Sequence, residues 1–185
     1  MNHQYYNKYI SIINDCRKIA IIGSPQTFTI ISALLGSMSA DLYQTGHDNE
    51  KFKNLINVYL KPQNIKYQNI ESNIISIYNR NLHIRPEPNQ INTIGEFLYA
   101  TLRCNFIHRN IVGKELLISH LKDGQNINNH LTIIDNKLMI IAEPFLNEIE
   151  QMLNNISNDM NETTVCQTII ANNNDGIIWS GLPNN

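Results

Sequence analysis

Apolar side chains recur every third or fourth residue along most of this chain, and glycine or proline interrupts the pattern at intervals. Such spacing collects the apolar groups on one face of an α-helix, so it predicts amphipathic helices that bury those faces against one another. A first helix over about residues 4–22 should end at Gly23, which takes left-handed torsions at little cost. Ser24 and Pro25 then provide the N-cap and the first position of a second helix. The pattern predicts a mostly α-helical bundle.

The same signals continue along the chain. Asp48 or Asn49 should cap a third helix that Pro62 closes. Within residues 63–91, a helical spacing runs from Ile70 to Tyr78, its β-branched residues weaken the helix prediction, and Arg85–Pro88 indicates an extended break. A further helix is expected over about residues 92–106.

Beyond that helix the periodicity weakens, and Gly113 and Gly124 indicate a loop around a short helix. A short β element is expected near residues 130–135. Asp135 should cap a last long helix, which Pro144 would kink.

Length and composition bound the organisation of the chain. With 185 residues, of which 42% are hydrophobic, it can build one ordinary domain with its own core. We predict a helical domain over residues 1–160 and a loosely ordered or docked C-terminal tail over residues 161–185. The net charge of −2 excludes a strongly basic nucleic-acid binder, so any nucleic-acid contact must come from a local patch or from two subunits combined.

The three cysteines are far apart and odd in number, which favours a reducing cytosol over a disulfide framework. No basic-then-apolar leader opens the chain, and its longest apolar runs are too short to cross a bilayer. We therefore expect a cytoplasmic protein with no membrane partner.

One stretch combines residue types that can carry chemistry, namely Arg103-Cys104-Asn105-Phe106-Ile107-His108 after an apolar Leu-Tyr helix. Histidine can move a proton near neutral pH, and the forked donors of arginine suit a phosphate on which negative charge builds. We assign His108 as general acid or base and Arg103 as phosphate clamp. Asn105 would orient one of them or bind phosphate, and Arg109 and Lys114 could add substrate contacts.

This Arg-x4-His string, with its Arg-Cys-Asn opening, resembles the signature of the HEPN superfamily. The resemblance implies a single-domain helical bundle that pairs as a homodimer. It also implies a metal-independent endoribonuclease without cofactors, in which Arg103 and His108 of both subunits meet in a cleft and cut RNA through its own 2′-OH. It further implies a toxin or phage-defence effector, often accompanied by an antitoxin protein. Cys104 and Arg109 depart from the residues that the family usually has at those places.

Geometry sets a condition on this site. Five residues along a helix rotate about 140° and rise roughly 7.5 Å, so Arg103 and His108 would not share a face. Either the helix ends before His108, or the stripe that includes Thr101 and Asn105 is a subunit interface that brings two copies of the pair together.

Plainer interpretations stay open. His108 could be a satisfied residue at a helix end, Arg103 could pair with Glu96 on the surface, and Asn105 could simply cap. The whole chain could then be a non-catalytic HEPN module that binds RNA, a nucleotide or a partner protein. It could also be a helical scaffold in which the motif is accidental. His120 and His130 have no recognisable metal-ligand spacing, and we predict no metal site.

Overall fold

The computed structural model describes residues 3–81, 90–109 and 112–172, and the side chains of residues 3, 4, 106, 108, 109 and 161–172 lie outside that description. Within these ranges the chain is mostly helical and carries one small sheet. The α-helices are α1 (His3–Ile21), α2 (Gln26–Leu42), α3 (Asp48–Leu55), α4 (Ile65–Arg80), α5 (Ile94–Leu98), α6 (Cys104–Arg109) and α7 (Ala142–Asn172). The strands are β1 (Leu116–Ser119), β2 (Thr132–Ile134) and β3 (Lys137–Ile141). The expected mostly α fold with a short β element near residues 130–135 is confirmed.

Two of the helices contain a wider π-helical turn. Helix α3 continues into a π segment over Ile56–Leu60 and a 3₁₀ turn over Lys61–Gln63. Helix α5 continues through a π segment, Tyr99–Arg103, into α6, and we call these residues 94–109 together the motif helix. A π turn closes each hydrogen bond over one residue more than an α turn and is frequent at functional sites.

The ends of the first helices follow from local chemistry. Gly23 has φ +67° two residues beyond the end of α1, as its predicted role as a stop requires. Helix α2 begins at Gln26, one residue after Pro25, which agrees with the sequence prediction within the usual uncertainty of helix ends. Asp48 is already the first residue of α3, and the residue before it, His47, is the N-cap, so the predicted cap was placed one or two residues late.

The core lies where the helices meet. Helix α1 packs against α2 and α7, and the motif helix packs against α2, α3 and α4. Large aromatic side chains that are at most 1% exposed fill this space: Tyr9, Phe28, Phe52, Tyr67, Phe97 and Phe145. Fully burying a side chain of this size stabilises the fold by roughly 1.5–3 kcal/mol, so these contacts fix how the helices are arranged.

The sheet has the strand order β1-β3-β2, with the last of the described strands in the middle. Strand β3 pairs in parallel with β1, Leu116 lying opposite Leu138, and antiparallel with β2, Ile134 lying opposite Lys137. The β2–β3 hairpin turns on Asp135 and Asn136, which have φ +50° and +59°. Two successive positive φ values are typical of the two-residue hairpin turn that matches strand twist.

Three expectations for this half of the chain were wrong. The predicted loop around a short helix contains β1 instead, which is followed by 3₁₀ turns at Leu121–Asp123 and Ile127–Asn129. Asp135 lies in the hairpin turn and does not cap α7, which starts seven residues later at Ala142. Pro144 is the third residue of α7. An N–H group in the first turn has no acceptor within the helix, so proline, which lacks that group, fits there without a kink.

The described part of the chain ends with α7, at Asn172. This helix continues through residue 160, where the sequence analysis places the end of the helical domain, and reaches Asn172. The expected C-terminal tail thus begins inside a helix, and its residues 173–185 lie outside the described residues.

Candidate functional site

The N-terminal end of the motif helix is anchored by side chains of neighbouring helices. Its first three N–H groups each find an acceptor, Ile94 on Glu71 at 3.0 Å, Gly95 on Asn57 at 3.0 Å and Glu96 on Thr93 at 3.2 Å. Since unsatisfied N–H groups at a helix start are what binds anions, this end of the helix is already occupied. Candidate chemistry therefore lies at the other end, around the motif residues.

Just before this helix, Asn79 of α4 holds the main chain of Ile91 with both ends of its amide. Its nitrogen donates to the Ile91 carbonyl at 2.9 Å, and its oxygen accepts from the Ile91 N–H at 3.0 Å. The amide makes the same pair of hydrogen bonds that a neighbouring β-strand would make, and so it fixes the main chain that leads into the motif helix.

The stripe that was considered as a subunit interface belongs to the core of the chain. Ile94, Phe97, Leu98 and Thr101 are all 0% exposed. The helix also does not end before His108, because α6 extends to Arg109. The expectation of a helix end before His108 was therefore wrong, and the stripe as far as Thr101 cannot be a subunit interface, whereas the pairing of two copies through other residues stays a prediction.

Arg103 is the last residue of the π segment, and its side chain lies across helix α2. A Cβ placed on Gly36 would come within 2.8 Å of the Arg103 Nε and 3.1 Å of its Cζ. The side chain is partly buried. No hydrogen bond or ion pair joins its guanidinium to any residue that the structure describes. Glu96, its suggested ion-pair partner, instead has its carboxylate 3.6 Å from the Lys53 ammonium.

Arg103 interacts electrostatically with Tyr99, whose hydroxyl hydrogen-bonds Cys104. Burial raises the pKa of the Tyr99 hydroxyl, the contact and hydrogen bond with Cys104 raise it further, and the Arg103 charge lowers it. The net shift is upward, so the tyrosine keeps its proton at neutral pH and can donate a hydrogen bond beside the guanidinium. The Tyr99 ring is itself held edge-on against Phe52, with ring centroids 5.6 Å apart.

Asn105 ties the end of the motif helix to the chain that follows it. Its amide nitrogen donates to the Thr101 carbonyl at 3.3 Å, and the Gly113 N–H donates to the same oxygen at 3.3 Å. Gly113 packs so closely that an added Cβ would lie 2.7 Å from the Thr101 Cβ. Lys114 follows directly and is exposed, so the structure brings its main chain beside the motif helix.

The remaining motif residues are only partly described. The main chain of His108 and Arg109 is helical, as part of α6. The predictions for their side chains lie outside the described residues.

The two other histidines singled out in the sequence are buried in different parts of the core. His120 is 4% exposed and lies edge-on to Phe28, with ring centroids 5.7 Å apart. His130 is 3% exposed, and its Nε2 lies 3.4 Å from a carboxylate oxygen of Glu148. Among the described residues no group of three or more His, Cys, Asp or Glu side chains is arranged to hold a metal ion. No helix in that same part of the chain has the length and apolarity to cross a bilayer.

Sequence reasoning missed Gly36 as a member of this site. A glycine in the interior of a helix costs stability, which signals a close contact but does not say with what. The contact with Arg103 depends on how α2 crosses the motif helix and could not be derived from local pattern.

Comparisons of the chain with protein-family models, with curated proteins and with solved structures found no match in any of the three.

Proposed function

We propose that this chain is a metal-independent endoribonuclease of the HEPN type, which cuts RNA by attack of a 2′-OH on the adjoining phosphodiester. The observation that carries the proposal is the partly buried Arg103 guanidinium, which has no hydrogen-bond or ion-pair partner among the described residues. A charge drawn partly out of water without a partner is costly. A phosphodiester would offset that cost, because its two oxygens accept the forked donors of arginine.

The chemistry assigned to the site needs few groups. One base takes the proton of the 2′-OH while its oxygen attacks phosphorus, and one acid gives a proton to the leaving 5′-oxygen. The products are a 2′,3′-cyclic phosphate and a free 5′-hydroxyl. We assign the proton transfers to His108, the phosphate contact to Arg103 and a supporting hydrogen bond to the protonated Tyr99.

Two copies of the chain would complete the site. The helix is continuous through Arg103 and His108, so the rotation of about 140° between them separates the pair within one chain. A homodimer would let each His108 face the Arg103 of the other copy. Asn105 then has a positioning role through Thr101, and Arg109 and Lys114 extend the basic contact to RNA.

The same proposal includes a biological role. A cytoplasmic RNA-cutting protein acting as a toxin or phage-defence effector would need to be restrained, and an antitoxin protein is the expected partner. These roles rest on the resemblance of the motif alone.

The test is cleavage of a labelled single-stranded RNA by the purified protein in excess EDTA. We expect cleavage that ends in a 2′,3′-cyclic phosphate and that disappears when the RNA is replaced by its 2′-deoxy form. His108→Ala and Arg103→Ala should each lower the rate by about 10²–10³-fold. Lys18→Ala is the matched control, because it removes the same charge from an exposed site on α1.

The outcomes separate the candidate functions. Cleavage that His108→Ala leaves unchanged would refute the catalytic assignment. RNA binding that depends on Arg103, without cleavage, would establish the non-catalytic module instead. Equal behaviour of Arg103→Ala and Lys18→Ala would show that the motif arginine has no special role.

A further inference from the structure

We infer that Gly36 is a positioning residue for Arg103, and that the missing side chain at this point of α2 sets where the guanidinium can meet a phosphate. The inference rests on the proposed function for its activity measurements. Its structural part, that Gly36 determines the position of the Arg103 side chain, can be measured without any activity.

The contact is close on the side of the arginine that carries its donors. A methyl group at Gly36 would lie 2.8 Å from Nε, 3.1 Å from Cζ and 3.1 Å from Nη2. Distances below 3.0 Å are not tolerated between such atoms, so one of the two side chains must move. The guanidinium is the end of a flexible chain and no hydrogen bond to a described residue holds it. It would therefore move and α2 would stay.

Helix propensity gives the substitution an unusual signature. Gly36 lies well inside α2, and glycine in a helix interior is less favourable than alanine. Gly36→Ala should therefore leave the protein at least as stable as before and raise the melting temperature by about 1–4 °C. Most substitutions that damage a site by damaging the fold do the opposite.

The expected functional effect is a loss in turnover. A displacement near 1 Å of a group that contacts the transition state can cost about 10²-fold in rate. Gly36→Ala should thus lower kcat/KM for RNA about 10–100-fold, mostly through kcat. In an Arg103→Ala background the same substitution should change the remaining rate less than twofold, because no side chain then lies over Gly36.

A composition-matched variant isolates the position of the methyl group. Ala33 lies exposed three residues earlier on α2. The double variant Ala33→Gly/Gly36→Ala has the composition of the natural chain and nearly its helix propensity. It should be as stable as the natural protein and as impaired as Gly36→Ala, whereas Ala33→Gly alone should be active and slightly less stable.

The deciding experiment combines these rates with ¹⁵N NMR of the arginine Nε–H signals, assigned through Arg103→Lys. We expect Gly36→Ala to shift the Arg103 signal and to leave that of Arg17 in place. If the natural protein is active, and Gly36→Ala changes neither its rate nor the Arg103 signal, the inference is overturned and the proposed function stands. If the natural protein neither cleaves nor binds RNA, the proposed function fails, and the NMR shift alone decides whether Gly36 positions Arg103.

Discussion

Replacing Glu148 by alanine should lower the free energy of unfolding by about 3–5 kcal/mol, because its carboxylate accepts hydrogen bonds from two side chains, of which Tyr67 is fully buried. One oxygen accepts from the Tyr67 hydroxyl at 2.7 Å, and the other accepts from the Asn64 amide at 2.7 Å. The second oxygen also lies 3.4 Å from His130 Nε2. The Ile141 N–H donates to His130 Nδ1 at 3.1 Å, which holds the imidazole beside the carboxylate.

The magnitude follows from what is left behind. Each hydrogen bond to a charged group contributes about 1.5–3 kcal/mol, and a stranded buried donor costs about 1–3 kcal/mol. Tyr67 is 0% exposed, so water cannot replace the carboxylate as the acceptor of its hydroxyl. Glu148→Gln keeps one acceptor and should cost about half as much as the alanine substitution.

Urea unfolding followed by circular dichroism measures these differences, with Glu150→Ala as control. Glu150 is on the same helix but pairs with Arg17 at the surface, where such a pair is worth under about 1 kcal/mol. In a Tyr67→Phe background, Glu148→Ala should cost about 1–2 kcal/mol less, because the stranded hydroxyl is gone. A cost below 1 kcal/mol for Glu148→Ala, or strict additivity of the two changes, would refute the reasoning.

Three further predictions concern stability. Gly113→Ala should cost about 1–3 kcal/mol in urea unfolding, because its Cβ would lie 2.9 Å from the Thr101 Cα, and an unchanged midpoint would show that the chain yields there. Asn79→Ala should lower the free energy of unfolding by about 1–3 kcal/mol and speed hydrogen exchange of the Ile91 amide. Unchanged exchange would contradict the two hydrogen bonds between the Asn79 side chain and the Ile91 main chain. Burial raises the pKa of the Cys16 thiol from 9.0 to about 11, so its folded-state proton is lost later than in the unfolded chain. The free energy of unfolding should therefore keep its full value below pH 9 and fall by about 2–3 kcal/mol as the pH rises to 11. Cys16→Ala should flatten that slope, and an equal slope in both proteins would count against the assignment.

The helices could be predicted because their signals are local. Apolar spacing places α1, α2 and α4, and the turn chemistry of Gly23 and Pro62 marks where helices stop. Strand β1 could not be found in this way. It has only four residues, and its strand conformation depends on pairing with β3, which lies much later in the chain. Asp135 was wrongly predicted as a helix cap because aspartate both caps helices and accepts positive φ in turns.

The candidate site was predictable to the extent that it lies on one helix. The string from Arg103 to His108 carries its own chemical meaning, and the helix over it was expected from periodicity. A helical wheel assumes the same rotation for every residue. That assumption does not hold across Tyr99–Arg103, because the π turn changes the direction in which the side chains point. The close contact of Arg103 with Gly36 crosses to α2, and only the three-dimensional packing brings these two residues together.

The position of β3 has a consequence for how the protein is made. This strand is the centre of the sheet and runs directly into α7, which packs against α1. A nascent chain released only up to Asn136 holds two strands that have nothing to pair with and a first helix that lacks one of its neighbours. Final assembly must wait for the C-terminal segment, and a protease cut in the hairpin would remove the sheet's only shared strand together with that helix contact.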